Sequence, residues 1–542
     1  MQQTPAPDEP SPPPSRPPLG LAALAPFQHV VFRTLWTTWL MANVSMWMND
    51  VAAAWLMTSL TSSPVWVALV QTAATLPVFL LGLPSGALAD TLDRRRYFLG
   101  TQLWIAIVAL TLCTVVLLDG MSPPVLLGLV FANGIGLAMR WPVFAAIVPE
   151  LVPRQQLPQA LALNGVSMNA SRIIGPLLAG AIIAGLGSAY VFVLNALLAM
   201  VSAVIIWRWR REQPPNPLGR EPFWSAMRVG WQFVRQSSRL RVVYLHISLF
   251  FFHSTALMAL LPLLALGMAG GNAGTFTVLL ATMGSGAIVS ALFLPRLRQN
   301  LPRDAIVMGG VTVQSLAMAG MAFAPSVGWA IPAMFMGGMA WIATANSLSV
   351  SAQLTLPDWV RARGMSMYQM AIMGGSALGA AFWGKVASWT DVHTSVGVAA
   401  LSGVTATWLA QRFVRERGPL EDLTPVRWKS PKAETPPPSG QVMINIEYRI
   451  DPARAEDFRR LMQESRRSRM RQGALHWELL HDLSDPGRFV EQVVDESWTE
   501  HLRRFDRISS ADVALRERRL AFHIGTEPPV ITRYVMESTV KS

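Results

Sequence analysis

Charged residues are scarce in this chain. They make up 14% of its 542 residues, whereas hydrophobic residues make up 51%, and the mean hydropathy is +0.34. Soluble globular domains carry charge on about a quarter of their residues, so this composition argues against an ordinary soluble enzyme. The apolar residues stand in blocks of about 20 and do not alternate with polar ones, which is typical of membrane-spanning helices and not of a closed barrel. The sequence therefore predicts an all-α polytopic membrane protein.

Cysteine is almost absent. The sole cysteine, Cys113, lies within an apolar block, which excludes a disulfide framework and a cysteine-rich zinc site. Residues 1–30 begin with a proline-rich stretch and lack the basic and then apolar pattern of a cleaved signal. We expect them to form a disordered cytosolic tail, with the first membrane span directing insertion.

The net charge of +12 raises the question of nucleic acid binding. Residues 441–542 hold 17 basic and 17 acidic side chains, so the whole excess belongs to residues 1–440. There it stands in the loops between apolar blocks, where positive charge sets the orientation of membrane spans. We therefore expect a lipid bilayer, and no nucleic acid, as the partner of this part of the chain.

Twelve apolar stretches have the length of membrane spans. They are residues 34–58, 64–88, 97–118, 123–147, 159–186, 189–208, 242–267, 273–295, 304–323, 327–353, 364–388 and 392–411. Arginine is concentrated in every second loop, and the alternate loops carry almost no basic residue. Positive charge resists translocation, so we expect the arginine-bearing loops and both termini in the cytoplasm.

The two halves of this pattern repeat. Pro149-Glu150-Leu151-Val152 follows the fourth span, and Pro357-Asp358-Trp359-Val360 follows the tenth, 208 residues later. The same offset places the first span on the seventh. This predicts two six-helix halves in parallel orientation, residues 31–208 and 242–415, with a small-molecule substrate site between them near the middle of the membrane.

Residues 209–241 join the halves as a cytoplasmic loop. Within it, Phe223, Met227, Trp231 and Val234 are spaced as one face of a helix. Such a helix either lies on the inner leaflet of the membrane or serves as a plain linker, and the sequence leaves both interpretations open.

Residues 416–440 are polar and rich in proline, which is typical of a linker. Beyond them, residues 442–450 alternate between apolar and polar side chains, as in a half-buried strand. Further strand and helix patterns in the order β-α-β-β-α-β predict a small α+β, ferredoxin-like domain over residues 441–535. Because the helices of such a domain cover only one face of its sheet, we expect a homodimer in which a second copy covers the other.

The turn after the second span reads Gly86-Ala87-Leu88-Ala89-Asp90-Thr91-Leu92-Asp93-Arg94-Arg95-Arg96. It resembles the loop signature of the major facilitator superfamily, with a glycine, an aspartate four residues later and then paired basic residues. Gly86 permits close helix approach, and Asp90 at a helix end is placed to pair with arginines or to cap a neighbouring helix. We interpret Gly86, Asp90, Arg94 and Arg95 as a cytoplasmic gate. The alternative is that the arginines only enforce the topology.

Two further stretches narrow the resemblance. Asn164, Asn169, Arg172 and Gly175-Pro176, together with Pro357 to Gly364, are similar to the branch that contains enterobactin exporters and transmembrane secretion effectors. The resemblance covers about residues 30–415 and implies proton-driven export of a drug-like or siderophore-like molecule across a bacterial inner (plasma) membrane. That family commonly has glycine between two arginines where this chain has Ala362, and we assign the flanking Arg361 and Arg363 to the gate.

Charged side chains inside the spans are the candidate site residues. Asp50, beside Asn49, lies in the first span, and because a carboxylate is costly in hydrocarbon we expect it to face the central cavity and carry the coupling proton. The alternative is simple solvation near the outer helix end. Arg172, with Asn49 and Asn169, is interpreted as a substrate or coupling group that either holds an anion or pairs with Asp50. Arg140 is expected to extend towards the cytoplasmic interface.

Residues 441–535, and Glu496 to Leu502 in particular, resemble the antibiotic biosynthesis monooxygenase domain, a ferredoxin-like fold that often pairs as a dimer. The sequence holds no glycine-rich nucleotide loop, metal cluster or nucleophile signature, so we expect no cofactor, no metal and no catalysis, and a structural role for His501. The predicted function is proton-coupled export by alternating access. The alternatives are an importer or uniporter of the same fold, and a membrane-anchored oxidoreductase or sensor acting through residues 441–535.

Overall fold

The computed structural model describes residues 24–210, 223–414, 422–424, 426 and 440–537. Most of the predicted tail, of the loop before Phe223 and of the predicted linker therefore lies outside the described residues. The long helices are α1 (Val30–Leu60), α2 (Pro64–Thr91), α3 (Arg94–Leu117), α4 (Pro123–Leu151), α5 (Leu157–Gly185), α6 (Ser188–Arg208), α8 (Ser238–Gly267), α9 (Ala273–Asn300), α10 (Arg303–Ala322), α11 (Val327–Thr355), α12 (Asp358–Trp389) and α13 (Val392–Phe413). A shorter helix, α7 (Phe223–Gln236), precedes α8.

Among the described residues, nine helices are long and apolar enough to cross a membrane. They are α2 to α6 and α8 to α11. The helices α1, α12 and α13 are less apolar and pack into the same bundle. In α1 the polar residues Asn43, Ser45 and Asn49 are buried against other helices rather than exposed at the bundle surface, which is how a helix in a bundle core tolerates them.

Helix packing in the first six long helices recurs in the second six. In the first half, α2 packs on α4, α3 on α6, and α1 on both α5 and α6. In the second half, α9 packs on α11, α10 on α13, and α8 on both α12 and α13. The contacts between the halves are also paired. Helix α2 contacts α12, and the corresponding helix of the second half, α9, contacts α5. The bundle therefore consists of two similarly packed halves.

The two ends of the bundle are joined differently. We call the end that carries Arg94 and Arg303 the arginine end. At the opposite end, one apolar cluster contains residues of both halves, among them Met57 of α1 and Leu261 of α8. At the arginine end each half has its own cluster of buried residues, and Leu83 of α2 packs against the cluster of the second half. Separation of the halves at the arginine end therefore exposes less shared apolar surface than separation at the opposite end.

Close helix contact in the second half depends on glycine. A Cβ atom added at Gly338 of α11 would overlap the carbonyl oxygen of Met283 in α9, and one added at Gly286 of α9 would overlap the carbonyl oxygen of Phe335 in α11. Glycine is the residue that permits such an approach of two helix backbones.

We expect Gly338→Ala to lower the melting temperature of the detergent-purified protein, because α9 and α11 must move apart to admit the methyl group, at a cost of about 1–3 kcal/mol. Thermal unfolding followed by intrinsic fluorescence measures the change. The matched control is Gly309→Ala in α10, where an added Cβ has no atom within 4 Å. Equal melting temperatures for the two variants would show that the helix approach is not tight.

The C-terminal domain contains β1 (Val442–Arg449), α14 (Ala455–Arg471), β2 (His476–His481), β3 (Arg488–Asp495), α15 (Trp498–Asp506), α16 (Ser510–Leu520) and β4 (Val530–Val535). The strands form one antiparallel sheet in the order β2-β3-β1-β4. Its core lies between the sheet and the helices and includes Ile444, Tyr448, Phe458 and Phe489. The opposite face mixes apolar and polar side chains, since Met443 pairs with Val494 while the neighbouring Asn445 pairs with Gln492.

This domain is held against the bundle by α7. Arg228 of α7 forms a 2.6 Å ion pair with Glu496 and donates to the carbonyl oxygen of Gly473 at 3.1 Å. Gln232 donates to the carbonyl oxygen of Ala474 at 3.2 Å. Contacts with α7 therefore fix the position of the domain.

The faces of α7 differ in burial, and this leaves open whether it is an interfacial helix or a linker. Val229 and Phe233 are buried, whereas Trp224 and Trp231 are more than half exposed. Trp231 is one of the residues of the predicted apolar stripe. The helix lies between the bundle and the C-terminal domain, so it buries more than one face and leaves two tryptophans outside.

Candidate functional site

Helix α1 presents one polar face to α4. Trp39, Asn43, Met46 and Asp50 follow one another at helical spacing, so they lie on the same side of α1. Asp50 is partly exposed and stands one helical turn after Met46, whose sulfur lies 4.0 Å from the guanidinium of Arg140 in α4. The structure thus places one carboxylate and one guanidinium near each other in the interior of the first half.

Arg140 is 2% exposed. Its guanidinium donates to the carbonyl oxygen of Ala42 at 3.2 Å and to Asn43 Oδ1 at 3.5 Å, and it lies 5.2 Å from the ring centroid of Trp39. The expectation that Arg140 extends to the interface is therefore wrong. The side chain turns inward because α1 offers backbone and side-chain acceptors and an aromatic face, which together replace part of its hydration.

A buried amide network continues this polar face. Asn195 of α6 donates to Asn49 Oδ1 at 3.2 Å and accepts from the Ser45 hydroxyl. Asn49 is 1% exposed. Gln102 and Asn133 line a small cavity beside this network, together with Arg140. Among the described residues, Gln102 Nε2 and Arg140 Nε have no hydrogen-bond partner, so donors remain available at this point in the first half.

Arg172 and Asn169 lie on α5. The Arg172 guanidinium is 5.6 Å from the ring centroid of Trp47 in α1, and its Nε has no partner among the described residues. Gly175 lets α5 approach α1 at the same tryptophan. Asn169 donates to the carbonyl oxygen of Gly165 in its own helix at 2.9 Å. Of the two suggested roles of Arg172, pairing with Asp50 is not seen among the described residues, where its guanidinium lies against Trp47.

The residues of the predicted gate lie at the arginine end. Arg94 forms a 2.6 Å ion pair with Glu150 at the end of α4. Arg95 donates to the carbonyl oxygens of Ile206 and Trp207 at the end of α6, where carbonyls lack helical partners. Both arginines therefore tie α3 to neighbouring helix ends of the same half. The side chain of Asp90 lies outside the described residues.

The seam between the halves passes through the other gate residues. A Cβ added at Gly86 of α2 would meet Ser366 Oγ of α12 at 3.6 Å, an ordinary contact distance. Arg363 packs against Gly230 of α7, and Arg361 Nε donates to the carbonyl oxygen of Leu356 at 3.3 Å. The gate residues thus form two groups, one within the first half and one where α2, α7 and α12 meet.

Comparison with known proteins adds the family. The sequence matches the transmembrane secretion effector family over residues 21–540. The chain belongs to this family. It is 23% identical over 312 residues to macrolide efflux protein A of Streptococcus pyogenes, which covers 55% of this chain and 75% of that protein. It is 25% identical over 378 residues to the enterobactin exporter EntS of Salmonella typhimurium, which covers 69% of this chain and 89% of the exporter.

Solved structures agree on the fold. The crystal structure of the nucleoside transporter NupG matches with a TM-score of 0.57 at 13% identity and covers 70% of this chain and 98% of that chain. Identity this low supports the fold alone. Family, fold and spans together identify this transmembrane secretion effector as a multi-pass membrane transporter of the major facilitator type.

Proposed function

We propose that this transporter exports a small molecule, drug-like or siderophore-like, in exchange for protons. The observation that carries the proposal is the position of Asp50 on the α1 face that holds the buried Arg140, one helical turn after Met46. A carboxylate in a membrane interior is expensive and generally functional. The names of the relatives, a macrolide efflux protein and an enterobactin exporter, support the direction of transport.

Protonation of Asp50 changes the electrostatics of α1 and α4. When Asp50 is ionised, it attracts the Arg140 guanidinium and offsets its charge. When Asp50 takes up a proton, that attraction is lost, and Arg140 keeps its contacts with Ala42, Asn43 and Trp39. The two protonation states would therefore hold α1 against α4 with different strength. Such a difference is what couples a proton to a conformational equilibrium.

The substrate site is proposed between the halves, near the middle of the bundle. Asn169 and Arg172 would supply polar contacts from α5, whereas Asn49, bonded to Asn195 of α6 and buried, would support the site from within the first half. Arg172 keeps an unpartnered buried Nε, which suits an anionic group on the substrate. Trp47, against which Arg172 lies, would supply an aromatic surface for an apolar or macrocyclic substrate.

The topology is proposed as twelve spans in two halves, residues 31–208 and 242–415, in a bacterial plasma membrane. Both termini, the loop 209–241, the linker 416–440 and the domain 441–535 would be cytoplasmic. The arginine end is then the cytoplasmic end. The repeated packing of the halves supports this arrangement.

Alternating access is proposed to open and close the arginine end. Gly86 and Ser366 would separate in one state and meet in the other. Arg94, Arg95, Arg361 and Arg363 would hold the helix ends that move, and Asp90 would join them. The separate apolar clusters of the halves at this end support opening there.

The C-terminal domain is proposed to be ferredoxin-like, related to the antibiotic biosynthesis monooxygenase domain, and non-catalytic. Its antiparallel order β2-β3-β1-β4 with helices on one face supports the fold. A homodimer through the open sheet face would place Met443, Val494 and Tyr534 against a second copy. The remaining candidate functions are import or uniport by the same fold, or an oxidoreductase or sensor that acts through this domain.

We expect Asp50→Asn to abolish pH-gradient-driven uptake into everted membrane vesicles while exchange of labelled for unlabelled substrate continues, because exchange does not require proton release. A panel that includes a macrolide and enterobactin supplies the substrate. The matched control is Asp119→Asn, at an exposed turn between α3 and α4. Full gradient-driven uptake by the Asp50 variant would remove Asp50 as the proton site.

We expect a disulfide between Gly86→Cys and Ser366→Cys, in a Cys113→Ala background, to stop transport, because the arginine end could no longer open. An added Cβ at residue 86 would lie 3.6 Å from Ser366 Oγ, which brings the two cysteine side chains within reach of each other. Reduction should restore the rate, and each single cysteine variant should remain active. Normal transport by the fully cross-linked protein would place the moving gate elsewhere.

A further inference from the structure

The C-terminal domain contains a cavity between its sheet and its helices. The volume is about 580 Å³, within the range of roughly 300–1,000 Å³ that small-molecule sites occupy. Ile444, Ile446 and Tyr448 of β1 form one wall, and α14, α15 and α16 form the other. Ile531 on the edge strand β4 also lines the cavity and is 48% exposed, so the cavity opens to solvent at that edge. Access for a ligand is therefore direct.

The charges that line the cavity are mostly positive. Asp512 is the acidic side chain among the described lining residues. Five arginines line it: Arg469, Arg504, Arg516, Arg519 and Arg533. Clefts with one predominant sign of charge attract ligands of the other sign.

Behind the lining, Glu491 is fully buried and accepts from Arg469 at 3.1 Å and from Arg519 at 2.9 Å. Burial opposes ionisation of Glu491, but the two guanidinium groups outweigh it and hold the pKa of this carboxyl well below its usual range. One negative carboxylate thus accepts hydrogen bonds from two positive arginines, so it neutralises only part of their charge. Arg519 is 6% exposed, and its Nε has no hydrogen-bond partner among the described residues. An unpaired donor this deeply buried points to a missing acceptor.

A second carboxylate organises the cavity mouth. Asp495 accepts from His501 Nδ1 at 2.7 Å and from Arg504 at 2.9 Å. Burial lowers the pKa of His501, which leaves its Nε2 as an acceptor for Arg533 Nε at 3.3 Å. Arg533 lines the cavity and is exposed, so its guanidinium stands at the mouth.

We propose that this cavity binds an organic anion with an apolar body. Its carboxylate, sulfonate or phenolate group would contact Arg516, Arg519 and Arg533. Its apolar body would lie on Ile444 and Ile446. Such a ligand would use the positive lining, the unpaired buried donor and the apolar wall together. A neutral lipid would use only the apolar wall, and an inorganic anion only the positive groups.

Occupancy is placed to affect the bundle. Gln472 and Ile508 line both the cavity and the seam with α7 and α12. Arg507 donates to the carbonyl oxygen of Gln472 at 2.7 Å, and its guanidinium lies 5.1 Å from the ring centroid of Trp359. Trp359 stands two residues before Arg361 of the proposed gate. A ligand that shifts α14 or α15 therefore changes contacts at the start of α12 and alters the transport rate, an effect that rests on the proposed function.

Binding is tested on the full chain in nanodiscs with anilinonaphthalene sulfonate, an aromatic anion, and with phenylnaphthylamine as its neutral counterpart, after subtraction of empty nanodiscs. We expect Arg516→Gln with Arg533→Gln to weaken binding of the anion about tenfold, equivalent to about 1.4 kcal/mol, and to leave the neutral probe unchanged. Both side chains are exposed, so the domain should keep its fold. Arg460→Gln with Arg466→Gln, exposed on α14 outside the cavity lining, is the charge-matched control. Equal anion binding by the cavity variant, the control variant and the wild type would overturn the site.

Regulation is tested by the transport rate with and without the same anion. We expect the rate of the wild type to change over the concentration range in which the anion binds, and the rate of the cavity variant to stay constant over that range. If the anion binds but no rate changes, the regulatory role is wrong and the site stands. If the wild type moves no substrate at all, the proposed function fails, whereas the binding measurement still decides the site.

Discussion

The burial of Arg140 is the constraint on which the first half depends. A guanidinium with 2% exposure loses its water, and an uncompensated buried charge destabilises a protein by several kcal/mol or more. Helix α1 supplies the compensation through the Ala42 carbonyl, the Asn43 amide and the face of Trp39, and it carries Asp50 on the same face, one turn after Met46. Because Asp50 is titratable, the stability of the α1 and α4 contact would depend on its protonation. In the proposed mechanism, this dependence would link the uptake of a proton to the conformation of the first half.

The bundle supports that link through its unequal ends. An apolar core shared by both halves joins the end opposite the arginines, whereas separate clusters and polar contacts at helix ends characterise the arginine end. A rearrangement of the first half that separates the two halves at the arginine end therefore exposes less apolar surface than one that separates them at the opposite end. The C-terminal domain touches the same end through α7 and Trp359, so a ligand in that domain and a proton at Asp50 would act on one conformational equilibrium.

Much of the fold can be predicted from apolar periodicity and motifs in the sequence, because the positions of helices depend on local apolar patterns. The turn from Gly86 to Arg96 and the charge of Asp50 were also visible directly. The inward position of Arg140, on the same face of α1 as Asp50, was not visible in the sequence. Arg140 lies 90 residues away in sequence, and whether an arginine turns inward depends on acceptors that only tertiary packing brings together. Asn195 was missed for the same reason, since a single asparagine in an apolar span carries no pattern, and only its bond to Asn49 reveals its role.

The direct test of the account is the movement of protons when substrate alone provides the driving force. The purified protein would be reconstituted into liposomes that contain a pH-sensitive dye, with the membrane potential clamped and no imposed pH gradient. A substrate gradient should then drive protons in the direction opposite to the substrate, and the proton flux should stop when the substrate gradient is removed. Substrate movement without proton movement, or protons that travel with the substrate, would contradict proton-coupled export.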